Sequence, residues 1–140
     1  MNLRHPILAI AFLAACFLAS PSRLPAAIES PLLTPSEARK KVGEEVVVEM
    51  TVSVTKDRLE KRGEIYLDAE VDFRDPNNFA VVISKVGAKS LNDAGIASPA
   101  EHFLKKKIRA KGKVALVQNV PRITIDDAKQ IELVTSSEGK

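Results

Sequence analysis

The chain has 140 residues, which fits one domain with a modest core, and only 4% of them are aromatic, with no Trp, so aliphatic side chains must fill that core. The formal net charge is +3, but Arg4 and Arg23 lie in an N-terminal segment that is predicted to be removed, and without them 19 basic side chains oppose 18 acidic ones. A balance of about +1 excludes an argument from bulk charge for a polyanionic partner.

Residues 1–26 are predicted to be an export signal. A short polar start with Arg4 and His5 precedes the apolar run "PILAIAFLAACFLA", and small residues around "ASPS" and "LPAA" offer cleavage sites. The run is too short for a convincing membrane-spanning helix, so no transmembrane segment is expected after signal removal. The predicted localisation is therefore periplasmic or secreted.

The only cysteine, Cys16, leaves a second form of export open. The residues "LAAC" at positions 13–16 resemble a bacterial lipoprotein signal, in which Cys16 carries the lipid anchor. The chain stays apolar after Cys16, where a lipoprotein usually turns polar, so soluble export is favoured. In either form the mature domain has no disulfide and depends on packing for its stability.

The mature chain is predicted to start with a linker, residues 27–33, and a short capping helix. In "TPSEARKKVG", Thr34 is a suitable N-cap, Pro35 fits the first helical position and Glu37 completes a capping box. Gly43 follows where a left-handed residue is expected after the helix.

Two strands with alternating polarity are predicted next, separated by the polar loop "KDRLEKRG". The first is "EVVVEMTVSVTK" and the second is "EIYLDAEVDF", which ends at the turn "RDPNN". Their inward residues are predicted to be Val46, Val48, Met50, Val52 and Val54 in the first strand, and Ile65, Leu67, Ala69, Val71 and Phe73 in the second.

Three further strands and one helix complete the predicted domain, residues 34–135, which a flexible tail, residues 136–140, follows. "FAVVISK" is the third strand; an irregular segment, residues 86–98, leads to Ser98 as N-cap of the helix "PAEHFLKKK". "IRAKGKVALV" is the fourth strand, with Ile108, Ala110, Gly112, Val114 and Leu116 on one side, and "QNVPRITIDDAKQIEL" provides a turn and the last strand. Gly112 inside a strand predicts a bulge or sharp bend of the kind that closes a barrel.

This order predicts an all-β fold with short helices. Five strands with a helix between the third and fourth, preceded by an N-terminal capping helix, are the layout of a five-stranded OB-fold Greek-key barrel. Strands with one apolar face each fit such a barrel better than a parallel sheet that is covered on both faces.

The C-terminal half resembles bacterial OB-fold domains of the nucleic-acid-binding kind, particularly small exported single-domain versions. The resemblance covers residues 34–134 and rests mostly on the order of short motifs, including the usual opening "EARKKVGEEVVVEMTV". The matching positions are Gly112, Lys113, Val114, Pro121, Ile123, Ile125, Asp126 or Asp127, Gln130 and Ile131. Asn119 replaces the family's hairpin glycine, and Asn tolerates positive φ better than other side chains. The resemblance implies the fold more firmly than the function, because this barrel holds many unrelated ligands.

No catalytic constellation, cofactor motif or metal-ligand spacing is present in the sequence. His102 stands beside a basic run and is interpreted as a solvated helix residue rather than a general base. Asp68, Glu70 and Asp72 alternate along the second strand, which could place a cation, but no glycine is present for a calcium loop, so a solvated face is favoured. The chain is predicted to be neither an enzyme nor a metalloprotein, and to carry no cofactor.

Two groups of cations are the candidate ligand contacts. Arg109, Lys111 and Lys113 alternate along the fourth strand and form a stripe that could follow a phosphate backbone; the alternative is a solubilising face that prevents edge pairing. OB ligands usually lie across the second and third strands between the first-second and fourth-fifth loops. Those loops and the adjacent strand offer Lys56, Arg58, Lys61, Arg62, Tyr66, Gln118, Asn119 and Arg122.

The sequence therefore predicts a binding protein whose ligand, by the family resemblance, is single-stranded nucleic acid. Tyr66 is the only aromatic side chain predicted to be available for base stacking, since Phe73 and Phe79 are assigned to the core. The alternative is an envelope interaction or stress module that binds a protein, a glycan or a small ligand on the same barrel face. Export favours this alternative because nucleic acid is scarcer outside the cytoplasm.

Overall fold

A computed structural model describes residues 30–135, so the predicted signal with Cys16, residues 27–29 of the predicted linker and the tail 136–140 lie outside the described residues. The strands are β1 (Leu32–Leu33), β2 (Glu45–Thr51), β3 (Val54–Arg58), β4 (Glu64–Asp68), β5 (Ala80–Ser84), β6 (Lys107–Lys113), β7 (Ala115–Val117), β8 (Val120–Ile125) and β9 (Ile131–Leu133). The helices are α1 (Pro35–Ala38), α2 (Leu59–Arg62), α3 (Lys85–Asp93) and α4 (Pro99–Phe103), and a 3-10 turn covers Ala128–Gln130.

The strands form two sheets that share two bent stretches of chain. One sheet has the order β1-β2-β6-β9 and the other has the order β3-β4-β5-β8-β7. The chain passes directly from β2 to β3 and from β6 to β7. The antiparallel pair β2–β6 therefore connects the two sheets into one ring of paired strands, in which β5 and β8 are parallel. This is the strand order of an OB-fold, and it confirms the predicted fold class.

The first and fourth predicted strands each divide where the chain passes from one sheet to the other. Val46, Val48, Met50 and Val52 are buried as the alternation predicts. The fourth strand divides at Val114, whose backbone bonds to the segment before β2.

Gly112 lies two residues before that division, and its role is close packing. A Cβ atom at this position would lie 2.6 Å from Cγ2 of Ile123. Beyond the division Leu116, predicted to face inward, is 52% exposed, and all three residues of β7 are exposed.

The second predicted strand is too long, and two of its predicted core residues are wrong. β4 ends at Asp68, and Val71 and Phe73 are 72% and 48% exposed. The chain instead forms a loop at residues 69–78, in which the Asp72 and Asp75 carboxylates accept hydrogen bonds from nearby backbone N–H groups. Such local bonds compete with strand pairing, and here they override the continuing alternation.

The predicted irregular segment contains a helix. The Ser84 hydroxyl accepts a hydrogen bond from the Gly87 N–H at 3.1 Å, and α3 follows with Gly87, Ala88 and Leu91 buried against the barrel. A Cβ at Gly87 would lie 2.0 Å from the Ile125 carbonyl oxygen, so a residue that normally disfavours helices is needed for packing here.

The two other predicted helix starts have different outcomes. The capping box of Thr34 and Glu37 is present, although α1 ends at Ala38, and Gly43 has the expected positive φ of 88°. Ser98 was predicted to cap α4, but its side chain makes no capping bond, and α4 ends at Phe103. No helix within residues 30–135 has both the length and the apolar character required to cross a bilayer.

Candidate functional site

An open groove of about 710 Å³ lies on the outer face of β4, β5 and β8. The α2 turn borders it on one side and the β7–β8 hairpin on another, so it occupies the position at which OB domains usually hold ligands. Seven of the predicted contact residues line this groove, namely Lys56, Arg58, Arg62, Tyr66, Gln118, Asn119 and Arg122. Lys61, Arg109, Lys111 and Lys113 do not line it.

The segment between the first and second barrel strands is more ordered than the predicted loop. Lys56 and Arg58 belong to β3, and the Asp57 carboxylate accepts a hydrogen bond from the Leu59 N–H at 3.0 Å at the start of α2. Gly63, with φ of 73°, ends the helical turn. Regular backbone structure therefore positions the Arg58 and Arg62 side chains at the groove.

A tight hairpin forms the opposite border of the groove. Val117 pairs with Val120, and the two residues between them, Gln118 and Asn119, have φ of 51° and 63°. Two successive positive φ values define a type I′ turn, whose twist matches that of the flanking strands. The positive φ predicted for Asn119 is confirmed.

A polar network crosses the floor of the groove above Ala80 and Val82, two residues that are buried although they lie on the outer face of the sheet. The Tyr66 hydroxyl donates a hydrogen bond to Glu64, and this bond raises the pKa of Tyr66. The Arg122 Nη1 atom lies 3.8 Å from Glu64 Oε2. Glu64 thus holds both Tyr66 and Arg122 in place and neutralises part of the charge of Arg122.

The loop 69–78 contributes a further wall of the groove that was not predicted from the sequence. Phe73 lines the groove with the Lys56 ammonium 4.3 Å from its ring centroid and the Arg74 guanidinium carbon 5.8 Å from it. A sequence signal that could have ended the second strand early, and so placed Phe73 in a loop, is the pair Asp72 and Asp75, the second of which is followed by a proline.

The charge of the groove is predominantly positive. Six cationic and three acidic side chains line it; the cations are Arg39, Lys56, Arg58, Arg62, Arg74 and Arg122, and the acids are Glu64, Asp68 and Asp75. Burial raises the pKa of Asp68, while hydrogen bonding from Asn78 opposes the shift. Arg39 follows the last residue of α1. Its position at the groove was not predicted, because no pattern in the neighbouring sequence indicates a contact with the barrel face.

The predicted basic stripe lies on the other sheet. Arg109 and Lys107 bind the Glu49 carboxylate of the neighbouring strand, with N–O distances of 2.8 and 3.1 Å. These two contacts, the Arg109 hydrogen bond first, lower the pKa of Glu49. Lys111 and Lys113 continue the same exposed face of β6. The stripe is therefore a separate surface, partly neutralised by Glu49, and it does not extend the groove.

The acidic series of the second predicted strand does not form a common face. Asp68 is buried at the end of β4, whereas Glu70 and Asp72 lie in the loop. Within residues 30–135, no three His, Cys, Asp or Glu side chains are grouped as metal ligands. His102 is half-buried and meets the Phe103 ring edge-on, with centroids 4.8 Å apart.

Neither a protein-family model nor a curated protein matches the chain. Solved structures do. An OBody bound to hen egg-white lysozyme matches with a TM-score of 0.50 and 17% identity, over 74% of this chain and 93% of that one. At this identity the likeness concerns the fold alone, and it agrees with the strand order described above.

Two synthetases are similar over a smaller part of their own length. The asparaginyl-tRNA synthetase from Pyrococcus horikoshii has a TM-score of 0.49 and 12% identity, over 74% of this chain and 23% of the synthetase. The aspartyl-tRNA synthetase from Entamoeba histolytica also has a TM-score of 0.49 and 12% identity, over 75% of this chain and 21% of the synthetase. The chain thus spans less than a quarter of either synthetase.

Proposed function

We propose that this chain is an exported OB-fold binding protein without catalytic activity, and that it binds single-stranded nucleic acid in the groove. The observation that carries the proposal is the convergence of six cationic side chains, from α1, β3, α2, β8 and the loop 69–78, on one face of the barrel. That face also presents two aromatic side chains, Tyr66 and Phe73.

Cations and aromatic rings together match the chemistry of an unpaired strand. Arginine and lysine side chains bind phosphates along the backbone, and this binding weakens as salt rises because counterions are released. Aromatic rings accept bases by stacking, which needs no particular sequence. Acidic side chains in the same groove, Glu64 and Asp68 above all, are expected to keep the affinity moderate.

Export and the absence of catalysis rest on the sequence. The signal pattern of residues 1–26 supports export, and the lack of a nucleophile, base or cofactor motif supports a binding role. The mass of the protein after export from a bacterial host tests the first point. Cleavage near residue 26 would support soluble export, whereas a lipid-modified chain that starts at Cys16 would establish anchoring.

A second candidate function is the binding of an envelope protein, a glycan or a small ligand on the same face. It is favoured by exposed apolar side chains at the hairpin, where Leu116 and Val117 reach the surface beside the groove. Such contacts depend on apolar burial and are much less sensitive to salt than phosphate contacts.

Fluorescence anisotropy of a labelled single-stranded oligonucleotide tests the proposal. We expect micromolar binding at low salt that weakens steeply at physiological salt, with a linear relation between the logarithms of affinity and salt concentration. Absence of binding at low salt would contradict the proposal and direct the search to protein and glycan partners.

A further inference from the structure

We propose that Phe73 forms a base-stacking position of the groove, and that the buried pair Asp68 and Asn78 holds it there. This inference rests on the proposed function and names the part of the ligand that is recognised, an unpaired base next to its phosphate. OB domains usually bind their ligands on the second and third barrel strands, and on the loops that join the first to the second and the fourth to the fifth barrel strand. Phe73 lies outside those positions, on the loop that joins the second and third strands.

The structure fixes the position of the exposed Phe73 ring. Within residues 30–135, Asp68 and Asn78 are the polar side chains that are buried, with 3% and 1% exposure. Asn78 Nδ2 donates to Asp68 Oδ1 at 3.0 Å and to the Phe73 carbonyl oxygen at 3.3 Å, while Asn78 Oδ1 accepts from the Glu70 N–H at 3.0 Å. Burying polar groups is costly unless they are bonded, and these bonds connect the base of the loop directly to Phe73.

Two cationic side chains lie close to the Phe73 ring. Lys56 lies against Phe73, and Arg74 is close to it, held by hydrogen bonds of 3.0 and 3.1 Å from its Nε and Nη2 atoms to Asp72. An apolar ring between two cations does not suit an apolar peptide side chain, which requires apolar neighbours. It does suit a planar base, because the phosphate attached to that base meets the cations.

Another exposed apolar side chain of the same loop differs from Phe73 in its position. Val71 is also apolar and is more exposed than Phe73, but it does not line the groove. Of the two large exposed hydrophobic side chains of the loop, Val71 and Phe73, only Phe73 borders the cationic groove. Val71 provides a matched control for the removal of exposed apolar surface.

The experiment uses fluorescein-labelled oligothymidylate of about eight nucleotides, a length within the range that one OB fold covers. A matched series replaces one nucleotide at a time with an abasic residue, so that a base is lost while its phosphate remains. Affinities are measured by anisotropy for the wild-type protein, Phe73→Ala and Val71→Ala. Unfolding in urea confirms that the three proteins are folded.

We expect Phe73→Ala to lower the affinity for intact oligonucleotide by about 5- to 150-fold, since a stacked base contributes about 1–3 kcal/mol and 1.4 kcal/mol is a factor of ten. The slope of affinity against salt should stay unchanged, because no phosphate contact is removed. One abasic position should weaken wild-type binding strongly and Phe73→Ala binding only slightly. Val71→Ala should behave as the wild type in every assay.

A second variant reports the stacking directly. The chain contains no Trp, so Phe73→Trp introduces a single tryptophan at the proposed position. Its fluorescence should be quenched by intact oligothymidylate, and less by the oligonucleotide that is abasic at the sensitive position. Asn78→Ala should lower affinity in the same way as Phe73→Ala, and the two losses should not add, because both act through one side chain.

The outcomes separate the two proposals. The stacking position would be overturned, with the proposed function left intact, if the wild-type protein binds with the expected salt dependence, Phe73→Ala has the same affinity as Val71→Ala, and no abasic position is sensitive to Phe73. Folded wild-type protein that binds no oligothymidylate at low salt would overturn both.

Discussion

Replacement of Asn78 by Ala removes the side chain that connects the loop 69–78 to the end of β4. The variant loses one hydrogen bond to the buried Asp68 carboxylate and two to the backbone groups of Phe73 and Glu70. A bond to a charged group contributes about 1.5–3 kcal/mol, and each neutral bond contributes less here because its backbone group is partly accessible to water. We therefore expect the free energy of unfolding to fall by about 2–4 kcal/mol at pH 7.

The same variant should show a characteristic pH dependence. Burial raises the pKa of Asp68 above its ordinary value of 3.8, and the Asn78 hydrogen bond opposes this shift, so its removal should raise the folded-state pKa further. A carboxyl group whose pKa is raised by folding destabilises the protein at pH values above its folded-state pKa. This loss of stability disappears as the pH falls through the folded-state pKa toward the unfolded-state pKa. The destabilisation caused by Asn78→Ala should thus be largest near neutrality and decrease toward about pH 4.

Urea unfolding followed by circular dichroism, at several pH values, measures both effects. Asn77→Ala is the matched control: Asn77 is exposed, and its observed bond uses the backbone N–H, so its free energy of unfolding should change by less than about 0.5 kcal/mol. A loss for Asn78→Ala that equals that of the control, or that is independent of pH, would refute the role assigned to this buried pair.

Three further predictions concern the barrel and the groove. Gly112→Ala should destabilise the protein by about 1–3 kcal/mol in urea unfolding, because the new Cβ would meet Ile123, and Ile123→Val should recover part of the loss; an equally stable Gly112→Ala protein would contradict the close packing. Asn119→Val should cost about 1–2 kcal/mol in the same assay while Asn119→Gly should cost nothing, because φ is 63°; equal stability of these two variants would contradict the type I′ turn. Glu64→Gln should tighten oligonucleotide binding by about two- to fivefold in anisotropy, because it releases Arg122 from a partly exposed ion pair; an unchanged or weaker affinity would contradict the neutralising role of Glu64.

Much of the barrel could be predicted because its signals are local. The alternation of Val46, Val48, Met50 and Val52 and the capping box at Thr34 each depend on neighbouring residues, and the structure has both. The division of the first strand between two sheets could not be predicted, since the alternation continues through the bend. In the fourth strand, the bend predicted at Gly112 lies two residues before the observed division at Val114. The helix α3 was not predicted because Gly87 weakens the local helix signal. Gly87 is needed at this position because a Cβ atom would meet the carbonyl oxygen of Ile125, which is distant in the sequence.

The site was predictable only in part. Arg58, Arg62, Tyr66 and Arg122 could be placed at one groove because the OB order itself determines which strands and loops are adjacent. Phe73 was assigned to the core because alternation suggested that the second strand continued through it. What ends that strand is a set of hydrogen bonds that the Asp72, Asp75 and Asn78 side chains accept from backbone N–H groups, and their combined strength cannot be judged from spacing alone.

The most direct test of the central claim compares two double variants that remove the same charge from different surfaces. Arg58→Ala with Arg122→Ala removes two cations from the groove, and Lys111→Ala with Lys113→Ala removes two from the stripe on the other sheet. Affinity for labelled oligothymidylate is measured by anisotropy over a range of salt concentrations. We expect the groove variant to bind more weakly and its log–log salt slope to be shallower by about 1.4, the equivalent of two single-strand phosphate contacts, while the stripe variant stays close to wild type. Equal effects of the two variants, or a larger effect of the stripe variant, would contradict the assignment of the ligand to the groove.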